Sequence, residues 1–121
     1  MEQRIFVVTW DTQPGHQLSP AVCQIASEAL RLSVWRAGGI ALACRVTPTL
    51  TRMVLHVPHG YDPHLHVEWV RAAARFAVAR MTHGTPLPWN PTYTAYPVSG
   101  VSVASEITAC LMLDMPALQS M

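Results

Sequence analysis

The sequence predicts an α+β domain, an antiparallel sheet with helices packed on it, in the order β-α-β-β-α-β-α. Three observations predict it. Short β-branched and aromatic runs alternate with longer segments of helical apolar spacing. Two of the longer segments open on Ser19-Pro20 and Asp62-Pro63, pairs that join an N-cap side chain to a proline tolerated in the first turn. The turn-rich "DTQPGHQ", Gly38-Gly39 and the proline-rich "HGTPLPWNP" separate the runs.

Taken in order, "RIFVVTW" at residues 4–10 is the first strand, ended by the turn-rich "DTQPGHQ". After Ser19-Pro20, Val22, Ile25, Ala26, Ala29, Leu32 and Val34 mark a helix that runs to Ala37 and stops at Gly38-Gly39. "IALACRVTP" and "TLTRMVLHVP" form a hairpin that turns at Thr47-Pro48-Thr49. Asp62-Pro63 starts a second helix reaching about Thr82, with Leu65, Trp69, Ala72, Ala73, Phe76 and Arg80 along one face. The proline-rich "HGTPLPWNP" leads to a strand in "TYTAYPVSG", and "VASEITACLMLDM" is a third, apolar helix stopped by Pro116. Residues 1–121 form one domain, with residues 115–121 a short tail.

Composition narrows the function classes. Half of the 121 residues are apolar and only 12% are charged, about half the share usual for a soluble domain, which implies a surface that is unusually apolar or partly covered by a partner. Every one of the eight basic residues is arginine, and the net charge is +1, too weak for a general nucleic-acid field but compatible with a local arginine stripe. Cys23, Cys44 and Cys110 are odd in number and widely spaced, which indicates neither a disulfide framework nor a cysteine metal site. No apolar run reaches the roughly 18 residues of a membrane span, and the expected location is the cytoplasm.

Three strings in order resemble the TnpA-like single-strand transposases of small insertion sequences and the related REP-associated tyrosine transposases. "GGIALACRVTPTLTRMVLHVP" resembles the family's strand, turn and strand bearing the HUH motif, a pair of histidines around an apolar residue. "HVEWVRAAARFAVARM" is similar to its following helix, and "PWNPTYTAYPVSG" to the strand that leads into its tyrosine-bearing helix. The stretch covers about residues 38–113, with "FVVTW" as the family's first strand. The resemblance implies an HUH-like fold of the ferredoxin-like, RRM-like kind. In the family the histidines hold a divalent cation on a scissile phosphate, and the tyrosine attacks the phosphorus.

The matching positions have changed. Aligned on Val46-Thr47-Pro48, the HUH triplet falls on Leu50-Thr51-Arg52, which offers no imidazole, and the last helix has no tyrosine after Val101. The nucleophile's position corresponds to Ala109 or Cys110, and the family's glutamine ligand to Asp114. Cys110 is better read as a small core residue. The expectation is an inactive member with no catalytic residues, no metal and no cofactor. It would bind structured single-stranded or hairpin nucleic acid, or act as a non-enzymatic subunit or regulator of a nucleoprotein complex; the alternative is a protein-interaction module without nucleic-acid binding.

The arginines expected to hold nucleic acid are Arg45 and Arg52 in the hairpin and Arg71 and Arg75, one turn apart on the second helix. Trp35, Trp69 and Trp89 could stack on bases, but aromatic residues in a small domain belong more often to the core. The stretch "HVPHGYDPHLH" puts four of six histidines in eleven residues, and His56, His59, Asp62 and His64 could sterically surround an ion. His64 and His66 diverge by about 200° on a helix and cannot share one. The resemblance also implies a homodimer joined sheet edge to sheet edge, and the low charge fits a large buried interface.

Overall fold

The computed structural model describes residues 4–84 and 86–113. Its elements are β1 (Ile5–Asp11), α1 (Pro20–Arg36), β2 (Ile40–Val46), β3 (Leu50–His56), α2 (Pro63–Met81), β4 (Thr94–Val98) and α3 (Val101–Leu111). The four strands form one antiparallel sheet in the order β2-β3-β1-β4, so the expected element order and α+β class are found. The expected continuation of α3 through Asp114 to Pro116, and the tail at 115–121, lie outside the described residues.

Caps fix the helix ends. Ser19 accepts a hydrogen bond from the Val22 amide at 3.2 Å with Pro20 in the first turn, and Asp62 accepts from the amides of His64 and Leu65. At the end of α1 the Gly38 amide donates to Trp35 and the Gly39 amide to Val34, with Gly38 at φ +85°, so the paired carbonyls of the last turn are satisfied. Gly39 is small for a different reason. A Cβ there would stand 2.8 Å from the carbonyl oxygen of His56 and 3.0 Å from the His66 ring.

The pleat sends alternate side chains to opposite faces of the sheet. Val8, Trp10, Cys44, Met53 and Leu55 face α1 and α2 and build the main core with Leu30, Val34, Val70 and Trp89. Val7, Ala43 and Val54 face the other way, where α3 covers them with Cys110 and Ile107. The register places Arg45 opposite Arg52 and Arg52 opposite Thr9, and Leu50 and Arg52 share the α3 face because they are two residues apart.

The aromatic expectation needs correction. Trp89 is buried against Trp10, with ring centroids 5.1 Å apart, but Trp35 is 72% exposed and Trp69 50% exposed. The face of α2 marked by Leu65, Trp69 and Phe76 is its outward face; His66, Val67, Val70, Arg71, Ala74 and Val78 are the buried ones. α2 carries apolar residues nearly all round, so spacing alone did not select the side that meets the sheet.

Candidate nucleic-acid interface

On the α3 face lies Arg52, the residue that the family resemblance sets against a metal histidine, and its guanidinium is engaged. Arg52 Nη2 donates to Glu106 Oε1 at 2.9 Å and to the Tyr96 hydroxyl at 3.1 Å, and that hydroxyl donates to Glu106 Oε2 at 3.2 Å. The triad is built by three elements: β3 and β4 lie either side of β1, and α3 crosses above. Leu50 offers no ligand on the same face, and a guanidinium would repel a cation. Among the described residues, no group of three or more His, Cys, Asp and Glu could hold a metal ion.

Cys110, at the nucleophile's aligned position, is fully buried, and its thiol donates to the Arg52 carbonyl. Burial pushes its pKa up, although Arg52, Arg31 and Arg45 all act to lower it. Desolvation outweighs them, and the shift favours the protonated thiol. The opposing contributions also map a cationic neighbourhood. Arg31 reaches from α1 to the edge of β2, where it donates to the Cys44 carbonyl at 3.3 Å. Arg45, beside Arg52, forms no ion pair with a described carboxylate, and its Nε is buried without a hydrogen-bond partner.

The four arginines proposed from sequence do not form one surface. Arg45 and Arg52 are cross-strand neighbours on the α3 face, and Arg75 is exposed on the helix layer beside Pro86 and Pro88. Arg71 is 5% exposed: it donates to the carbonyls of Pro91 at 3.0 Å and of Asn90, and its guanidinium lies 4.7 Å over the Trp10 ring. It pins the "WNPT" segment, so Arg71 and Arg75 do not jointly face solvent. Arg31 was missed by sequence because its helical position gives no sign that it reaches the sheet edge. Tyr96 was missed as a neighbour of Arg52 because that contact spans two strands.

The histidine-rich loop has another organiser. Arg4, before β1, donates to the carbonyls of Val57 at 3.1 Å, Tyr61 at 2.9 Å and Pro58, so the loop wraps a guanidinium. Asp62 is spent as the α2 cap, His64 pairs with the Tyr93 hydroxyl at 2.8 Å, and His59 is exposed. His66 is buried, with neither ring nitrogen hydrogen-bonded, and burial followed by the nearby Arg4 charge lowers its pKa. No helix among the described residues is long and apolar enough to cross a membrane.

No family model matches the sequence, and no curated protein matches it. Two solved structures are similar in fold. A crystal structure of a candidate transposase from Deinococcus radiodurans R1 matches with a TM-score of 0.71 and 20% identity, covering 87% of this chain and 86% of that one. A REP-associated tyrosine transposase bound to a REP hairpin matches with a TM-score of 0.71 and 11% identity, covering 97% of this chain and 70% of that one. At such identities the likeness is one of fold, and over nearly its whole length this chain has a transposase-like fold.

Proposed function

We propose that the chain is a non-cleaving domain of transposase-like fold that binds structured single-stranded nucleic acid through the sheet face around Arg31, Arg45 and Arg52. The observation that carries this reading is the closed Arg52–Glu106–Tyr96 triad at the aligned metal position. A site with an ion pair in place of ligands has nothing with which to polarise a phosphate, but it retains guanidinium groups suited to hold one. Glu106 neutralises Arg52 alone, which leaves Arg31 and Arg45 as the binding charges among the described residues. A homodimer belongs to the same proposal, with β2 at the edge of the sheet as the strand that would pair.

The test is fluorescence anisotropy with a labelled DNA hairpin bearing a single-stranded tail, alongside a cleavage assay with magnesium or manganese. Two or three phosphate contacts predict a log–log salt slope of about −2 for a single strand. Binding that weakens in Arg45→Gln, with no cleavage and no covalent adduct, supports the proposal. No binding even at low salt removes its nucleic-acid half, and metal-dependent cleavage removes its non-cleaving half. Sedimentation of the free protein decides the dimer.

A further inference from the structure

The helix layer, on the opposite side of the sheet, carries a feature the nucleic-acid reading does not use. α1 and α2 follow the antiparallel strands β1 and β3 and therefore run antiparallel to each other. Their outward residues are Leu32, Trp35, Leu65, Trp69 and Phe76, with Met81 at the end of α2, each between 47% and 72% exposed. Between the helices lies a groove of ≈ 700 Å³ in which small side chains, Ala29, Ala73 and Ala77, separate the larger Leu32, Trp69 and Phe76. Burying two tryptophans, a phenylalanine and two leucines from water is a strong drive to association.

Charge identifies the occupant. The groove is lined by Arg36 and Arg80 and by no carboxylate. Neither arginine forms an ion pair with a described carboxylate, and Arg80 lies 5.9 Å over the Phe76 ring. Because the helices are antiparallel, Arg36 at the end of α1 stands near Trp69, while Arg80 is about three turns further along α2, or ~16 Å at the helical rise of about 1.5 Å per residue. We propose that this groove docks an amphipathic helix of a partner protein, its apolar stripe on Trp69 and Phe76 and its carboxylates near Arg36 and Arg80.

Two other occupants fit less well. A second copy related by a two-fold axis through the groove would bring arginines against arginines with no groove carboxylate to relieve them. A nucleic-acid strand would find aromatic faces, but also aliphatic Leu32, Leu65 and Met81, and only two cations along the groove. A helix suits both the alanine-spaced trough and the aliphatic walls.

The experiment titrates the full chain into a panel of fluorescein-labelled synthetic helical peptides. Each has a leucine and phenylalanine stripe at three- and four-residue spacing, with glutamates about three turns apart or lysines at the same places. The glutamate peptides should bind, and Trp69→Ala and Phe76→Ala should each weaken them about tenfold or more. Both side chains are half exposed or more, so circular dichroism should show unchanged folding. Arg36→Glu with Arg80→Glu should reverse the preference toward the lysine peptides. The proposal is overturned if no glutamate peptide binds or if lysine peptides bind equally well. Oligonucleotide binding lost in Trp69→Ala would assign the groove to nucleic acid, and self-association lost in the same variant would assign it to a second copy; either result overturns the proposal. Arg45 lies on the other face, so its hairpin result is read independently.

Discussion

Arg52 on β3 and Glu106 on α3 form an ion pair of 2.9 Å across the gap between sheet and helix, and each is about three-quarters buried. The pair ties α3 to the sheet and sets the charge of that face. In Glu106→Gln the amide oxygen can still accept from Arg52, so the loss of stability should be modest. Because the pair is still reached by solvent and the hydrogen bond survives, about 1 kcal/mol is expected, or a Tm lower by about 4 °C in a domain of this size. The same change uncovers the Arg52 charge and should strengthen hairpin binding several-fold, whereas Arg52→Gln should weaken it. Thermal denaturation and anisotropy on both variants check the pair of outcomes; parallel changes in affinity would contradict the charge argument.

The contrast between Leu50-Thr51-Arg52 and the triad shows what was readable in sequence. Local spacing placed the caps and the hairpin, because each depends on neighbouring residues, whereas the reading of Leu50-Thr51-Arg52 rested on the family resemblance. Tyr96 and Glu106 meet Arg52 only through strand order and helix crossing, and no local pattern carries that information. What organises the histidine loop was not legible for a similar reason: Arg4, whose guanidinium it wraps, is more than fifty residues distant in sequence. α2 misled because Leu65, Trp69 and Phe76 are as regularly spaced as Val67, Val70, Ala74 and Val78.

His66 makes folding sensitive to acid. Its folded-state pKa is lowered below the model-peptide value of 6.5, first by burial and then by Arg4. The unfolded chain therefore binds a proton that the folded chain resists, and stability is full above pH 6.5 and falls as the pH drops toward the folded pKa. Urea unfolding should show a loss between neutral and mildly acidic pH that is smaller in His66→Leu than in the native protein. Equal slopes in both would assign the acid sensitivity to other groups.

Arg71 is a strut rather than a surface cation. Its guanidinium satisfies two carbonyls of the "WNPT" segment while lying over Trp10 and within 5.5 Å of the Tyr93 ring centroid. A lysine cannot donate to both carbonyls while stacking flat on the indole. Arg71→Lys should cost about 2 kcal/mol in chemical denaturation and Arg71→Ala more, since two part-buried carbonyls lose their donor and the buried space beside Trp10 is emptied. Hairpin affinity measured on the folded Arg71→Lys protein should stay within about twofold of the native value; a large loss would make Arg71 a binding residue after all.

The ends of the two long helices give opposite responses to glycine and alanine. After α2, His83 takes φ +59° and the Gly84 amide donates back to Ala79, so a non-glycine residue occupies a left-handed position. Removing its Cβ should relieve about 1 kcal/mol of strain, and His83→Gly should raise Tm by about 4 °C. At the end of α1 that position is already glycine: Gly38→Ala introduces the same strain and should lower stability by about 1 kcal/mol. Gly39→Ala should be worse, because a Cβ 2.8 Å from the His56 carbonyl forces apart α1 and β3 rather than merely straining a dihedral angle. Unfolding of the three variants in one denaturant series should therefore rank His83→Gly above native, and Gly38→Ala above Gly39→Ala. A Gly39→Ala protein as stable as Gly38→Ala would mean that the helix–strand approach at this corner is looser than the structure has it.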